Sequence, residues 1–158
     1  MKNITIRVAQ TQDVEQLDEL MFRLHDEHHH QCPEHFKTAQ EIEQEKSITR
    51  YINSPDCLVL VACDGDYILG FITGHFCELI SSVSKPVQMG SIDELYVVPE
   101  MRKFGIATQL YHDLEHRFDE YGVKQVFVEV WDFNHVALDL YKGLAFQNHI
   151  HWLRKPIS

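Results

Sequence analysis

The sequence predicts an α/β (α+β) domain of three layers, a mixed sheet held between helices. Three observations carry that prediction. A strand-helix-strand run from Val87 to Trp131 demands a parallel crossover. Two apolar, β-rich runs around Asp64-Gly65 read as an antiparallel hairpin, because glycine supplies the positive φ that tight turns need. Helices and strands also interleave along the whole chain, and its 158 residues, 44% of them hydrophobic, suffice for one core. A single domain spanning residues 1–158 is expected.

The elements follow in order. Ile4 to Ala9 alternates apolar and polar residues and forms a first strand. Thr11 caps a helix whose stripe of Val14, Leu17, Leu20, Met21 and Leu24 ends near Asp26. Thr38 and Glu41 have capping-box spacing, and Ile42, Ile48 and Ile52 continue a second helix up to Pro55. The hairpin occupies Cys57 to Leu79, Ser81 to Pro86 is a loop, and Val87 begins a strand ending at Pro99. Ile106, Leu110, Leu114 and Phe118 mark the apolar face of a third helix. Lys124 to Trp131 is a strand, Val136 to Leu144 a short helix, and Phe146 to Lys155 a final strand.

The formal charge of −10 argues against nucleic acid and against anionic membrane surfaces, and favours a cationic partner. No stretch approaches the roughly 18 apolar residues of a membrane span, and no signal peptide is evident. Cys32, Cys57, Cys63 and Cys77 lack Cys-x-x-Cys spacing; the last three sit among apolar residues and are expected to be reduced, in a cytoplasmic protein. His25, His28, His29, His30 and His35 crowd a stretch read as a helix-helix connection. That cluster lacks zinc-finger spacing, so no metal is expected and an acidic, pH-sensitive rim with Asp26, Glu27 and Glu34 is the reading.

The joint after Val97 concentrates the chemistry. The first N–H groups of a helix lack partners and face outward with the positive end of its dipole, so a diphosphate satisfies them. Here Arg102 and Lys103 add charge, Gly105 permits close approach and Thr108 adds a hydroxyl. A solvated basic cap is the rival reading. Neither Gly-x-x-x-x-Gly-Lys-Ser/Thr nor Gly-x-Gly-x-x-Gly is present, which argues against nucleotide hydrolysis and hydride transfer.

The run of strand, Val-x-Pro, Arg-x-x-Gly-x-Ala and helix resembles the GNAT acetyltransferases. So does "NHVALDLYKGLAF" (Asn134 to Phe146), and "TIRVAQTQDVEQL" is similar to the family's opening strand and helix. The resemblance implies a mostly antiparallel sheet of six to seven strands with about four helices, and an acetyl-CoA-dependent N-acetyltransferase. It implies that Arg102, Lys103, Phe104, Gly105, Ile106, Ala107 and Thr108 wrap the cofactor's pyrophosphate. It also implies that Asn134 meets the pantetheine arm and that Tyr141 is the acid beside the thioester sulfur. Pantetheine amides would pair along Leu95, Tyr96 and Val97 like an added strand, with an oxyanion-holding N–H among them. The family ends its second motif Gly-Phe where this chain has Ala145-Phe146, and Ala145 cannot reach positive φ as cheaply.

Transfer to an amine needs a base. By the resemblance it is Asp93 or Glu94, of which strand alternation lets only one face the reaction, and Glu94 is preferred. Glu129 is a third candidate or a binder of the cationic substrate. Neither motif contains a cysteine and Cys77 is expected to fill the core, so attack is direct, in a ternary complex. A small cationic amine is the preferred acceptor. A protein or peptide amine, a non-catalytic acetyl-CoA-binding regulatory domain and a pure interaction module stay open, as does a homodimer formed through the final strand with Phe146, Ile150 and Trp152.

Overall fold

A computed structural model describes residues 3–158. The order is β1 (Thr5–Val8), α1 (Val14–Gln31), α2 (Ala39–Glu45), α3 (Ile48–Asn53), β2 (Cys57–Asp64), β3 (Tyr67–Leu79), β4 (Val87–Val97), α4 (Ile106–Glu120), β5 (Gln125–Val128) and α5 (His135–Gly143). All five strands join one sheet in the order β1-β2-β3-β4-β5. The first three pairings are antiparallel and β4–β5 is parallel, as the crossover through α4 requires.

Two apolar clusters make the three layers. On one face Leu17, Leu20, Met21 and Leu24 of α1, with Ile48 of α3, share a cluster with Val59, Val61, Phe71 and Tyr96 of the sheet. On the other, Ile106, Leu110, Leu114 and Phe118 of α4 join Leu60, Ala62, Ile72 and Ile92, with Tyr141 of α5 alongside. Each fully buried aliphatic contributes about 1.5–3 kcal/mol of transfer free energy. The helix lies close on the sheet because Gly90 lacks a side chain; a Cβ there would stand 2.7 Å from the Phe118 ring.

Several expected boundaries move, each for a local reason. Asp13, not Thr11, organises the first helix start: its carboxylate accepts from Gln10 N at 2.8 Å and from both terminal nitrogens of Arg7. Helix α1 runs past Asp26 to Gln31, so His25, His28, His29 and His30 are helical, not in a connection. His29 and His30 turn their Nδ1 atoms to the carbonyls of Phe36 and Asp26, which fixes that last turn. The helix expected from Thr38 to Pro55 is two helices, broken at Lys46, whose backbone is extended at φ −122° and ψ 131°. Helices therefore number five among the described residues.

The expected final strand does not form, leaving five strands rather than six or seven among the described residues. Ala145 turns left-handed at φ +72°, and Phe146 drops onto Tyr111 and Tyr141 with ring centres 5.4 and 5.3 Å away. Beyond it the alternation lasts only from Ile150 to Trp152, and the segment acquires no ladder. Cys77 is exposed, not core, since β3 there extends beyond the helices; Cys32 and Cys63 are the buried thiols, and all four are free.

Candidate active site

A one-residue bulge on β4 sets the site. Thr73 pairs with Glu94, but the next residue, Gly74, pairs with Ile92, so Asp93 is the extra residue. Ile92 and Leu95 face α4 on either side of it. Asp93 and Glu94 consequently point to the same face, toward α3, and the alternation that was to let only one of them face the reaction is overturned here. Asp93 accepts from His75 Nδ1 at 2.7 Å, Tyr51 Oη at 3.2 Å and Ser91 Oγ at 3.3 Å. Glu94 is buried, 6% exposed, and its carboxylate accepts from Thr73 Oγ1 and pairs with the Lys46 ammonium. Burial first, then the charges of Glu94 and Asp93, push the Tyr51 phenol far up, so it stays a donor.

Next to these carboxylates the sheet opens. β5 pairs with β4 only from Met89 to Ile92, while β3 continues to pair with β4 as far as Val97. Glu94 N donates to Thr73 Oγ1 and Val98 N to Leu69 O, both on the β3 side. Strand alternation then aims the N–H groups of Leu95 and Val97 into the gap left by β5. Tyr96 turns its side chain into the α1 cluster and, by the same alternation, its N–H toward β3, so of the expected trio it is the neighbours' amides that face the opening.

The joint has the geometry for an anion. Lys103 is left-handed at φ +70° and Gly105 at φ +81°; a Cβ at Gly105 would meet nothing within 4 Å, so conformation, not crowding, asks for glycine. No side chain caps α4, leaving the amides of Ile106, Ala107 and Thr108 for an incoming acceptor. Lys103 and Phe104 are exposed beside them. Arg102 is engaged elsewhere: Nε donates to Val97 O at 2.7 Å, and Nη2 reaches both Glu27 oxygens at 3.1 and 3.2 Å. It braces the turn against β4 and α1.

From the opposite face of the sheet comes Tyr141, buried on α5, whose phenol is raised by that burial alone. Asn134 is the N-cap of α5, its Oδ1 accepting from Ala137 N at 3.2 Å, which leaves its NH₂ for other partners. Glu129 lies just past β5 and is exposed, one residue beyond the Ile92–Val128 pair and, by alternation with Val128 and Val130, on the face that Asp93 and Glu94 share. In the histidine-rich stretch, Cys32, Glu34 and His35 bring one ligand atom each within 4.8 Å of one another.

Asp93, Glu94, Asn134 and Tyr141 carried signals in the sequence. Lys46, Tyr51, Thr73 and His75 did not: they come from three other elements and meet only through the fold. The one trace was Thr73 and His75 standing two apart, hence on one face of β3.

Comparison with known proteins agrees. A family model described as the acetyltransferase (GNAT) family matches residues 19–146. An acetyltransferase from Vibrio fischeri is 53% identical, with 80% of this chain and 96% of that one covered and a TM-score of 0.68. A mutant of the BH1408 protein from Bacillus halodurans has a TM-score of 0.88 at 19% identity, covering 98% and 99% of the two chains. AAC(6')-Iy, solved with a bisubstrate analogue, CoA-S-monomethyl-acetylneamine, has a TM-score of 0.71 at 15% identity over 98% and 99%. No helix among the described residues is long and apolar enough to cross a membrane.

Proposed function

The chain belongs to the GNAT acetyltransferase family and is an acetyl-CoA-dependent N-acetyltransferase, and from that premise we propose that its acceptor is a primary amine of a small cationic molecule, acetylated by direct attack in a ternary complex. Acetyl-CoA supplies the acetyl group. The residues present fit it: the α4 amides with Lys103 would take its diphosphate, and the N–H groups of Leu95 and Val97 its amide-bearing arm and the carbonyl oxygen.

The observation that carries the acceptor reading is the bulge. It turns Asp93 and Glu94 together toward one face, in contact with Tyr51, Thr73 and His75, beside the open stretch of β4. Two carboxylates on one face attract an ammonium and can then relieve it of a proton. Glu94 takes that role, directly or through a water, with Asp93 holding the cation. The Leu95 and Val97 amides polarise the carbonyl. Tyr141, kept protonated by burial, donates to the departing sulfur from the far face.

AAC(6')-Iy in its complex with a CoA-linked acetylneamine, and an aminoglycoside acetyltransferase from an uncultured soil sample in complex with sisomicin, motivate including aminoglycosides among the amines tried. We place the protein in the cytoplasm, where its free thiols stay reduced, and as a homodimer joined at the β5 edge of the sheet. The test is thiol release from acetyl-CoA over a panel of polyamines, aminoglycosides and basic peptides. Turnover on a small cationic amine is expected, falling about 100-fold or more in Glu94→Gln and in Tyr141→Phe. Coenzyme A should stabilise all three forms equally, by about 2.7 kcal/mol at 100 times its dissociation constant. Stabilisation without turnover of any amine would favour a non-catalytic sensor of acetyl-CoA, and unaltered turnover in Tyr141→Phe would remove that residue's role.

A further inference from the structure

Lys46 stands where a substrate is expected. Its ammonium is on the Glu94 carboxylate, and its Nζ lies 5.8 Å from the centre of the Tyr51 ring. The lysine side chain is 34% exposed and the glutamate 5%, so the cation reaches in from the site's edge. Its backbone is the extended hinge between α2 and α3, two short helices of 7 and 6 residues.

Behind Lys46 lies a second seat. A cavity of about 20 Å³ between α1 and α2 is lined by Asp18, Met21, His25, Ile42, Glu43 and Lys46 itself. Inside this part of the fold His25 Nε2 is buried without any hydrogen-bond partner. A buried orphan of this kind costs about 1–3 kcal/mol and asks for a partner, which is a donor when the ring proton sits on Nδ1. Asp18 and Glu43 reach its rim as exposed residues, and partial burial, then the Glu43 charge, raises the Asp18 carboxyl.

We infer that Lys46 is an internal occupant of the acceptor's ammonium site, and that an arriving cationic acceptor displaces it from Glu94 into the cavity of Asp18, Glu43 and His25. The inference rests on reading Glu94 as the group that receives the acceptor. In the first position Lys46 keeps a buried carboxylate from standing unpaired while the site is empty. In the second it donates to His25 Nε2 beside the exposed carboxylates of Asp18 and Glu43, which offsets part of the loss of the Glu94 pair. A four-carbon stem on an extended hinge allows the swing without moving either helix. Burial, together with the Lys46 charge, holds His25 neutral down to about pH 4, which preserves the lone pair the second position uses. Selectivity follows: an acceptor analogue with a hydroxyl in place of the amine has no charge with which to displace the lysine.

The test is affinity, not rate. Spermidine is titrated calorimetrically into protein saturated with coenzyme A. Lys46→Met should tighten its binding about tenfold, the equivalent of removing a competing contact of about 1.4 kcal/mol. His25→Leu, which spoils the second seat, should weaken spermidine binding in the Lys46 protein and leave it unchanged in Lys46→Met, a coupling that two unrelated effects would not show. Binding that is unaltered or weaker in Lys46→Met, undetectable in both forms, or equally sensitive to His25→Leu in both, overturns the inference. Failure of the base reading is separate, since it appears as an undiminished kcat in Glu94→Gln whatever the spermidine affinities are.

Discussion

Ala145 holds a left-handed backbone, φ +72°, at a turn where its Cβ is a burden. Ala145→Gly should stabilise the fold by about 0.5–1 kcal/mol in urea denaturation, the relief of strain exceeding the added freedom of the unfolded chain. The residue was readable as an oddity in the sequence, and the structure shows the oddity tolerated, because Phe146 needs that turn to reach Tyr111 and Tyr141. His25 gives a second expectation. Its folded-state value is lowered to about 4 by burial, while the unfolded imidazole titrates near 6.5. Between those values the unfolded chain binds the extra proton, so stability is complete above about pH 6.5 and falls as pH drops toward 4, by about 3 kcal/mol from this group. Unfolding free energies measured across that window should show a shallower slope in His25→Leu. The proposed site residues were legible to different degrees: Tyr141 and Asn134 stand out through the resemblance of their segment to the family's second motif, whereas Lys46 has nothing near it in sequence to distinguish it from any surface lysine.

At the scale of elements, β4 and α4 depend on each other through a missing side chain. Gly90→Ala would drive a Cβ to 2.7 Å from the Phe118 ring, which is itself buried and cannot retreat. The helix must lift, at a cost of about 1–3 kcal/mol, and the denaturation midpoint should fall accordingly. Because α4 carries the Gly105 turn, the affinity for coenzyme A should weaken with it. Periodicity alone gave this helix, the hairpin and the parallel crossover, because each rests on local pattern. It could not give the break at Lys46 or the bulge at Asp93. Lys46 at the break meets a residue 48 positions away and the bulge is a matter of pairing between strands, and neither leaves a mark on the alternation of residues nearby.

For the whole molecule, the unanswered region is the C-terminal segment. Ile150, Trp152, Leu153 and Ile157 are among the exposed large hydrophobics, and the first three lie where a final strand was expected. His149 stacks edge-on near Phe127 of β5, ring centres 5.5 Å apart, so the segment passes beside the free strand edge without pairing to it. In the proposed homodimer this apolar tail covers the partner copy's β5 edge. Sedimentation equilibrium should therefore report a dimer for the full chain and a monomer for a chain ending at Phe146; a monomeric full-length protein would refute it. The strand expected over Phe146–Lys155 rested on alternation that holds only from Ile150 to Trp152, too short a run to specify a ladder. The slot between β4 and β5 carries its own solution behaviour. With amides there bare on one side, deuterium should enter Leu95 and Val97 far sooner than Ile72 across the ladder, and a nucleotide filling the slot should slow that entry. Material stripped of coenzyme A offers neighbouring molecules a strand-seeking groove, so its losses on concentration should be reversed by adding the nucleotide back.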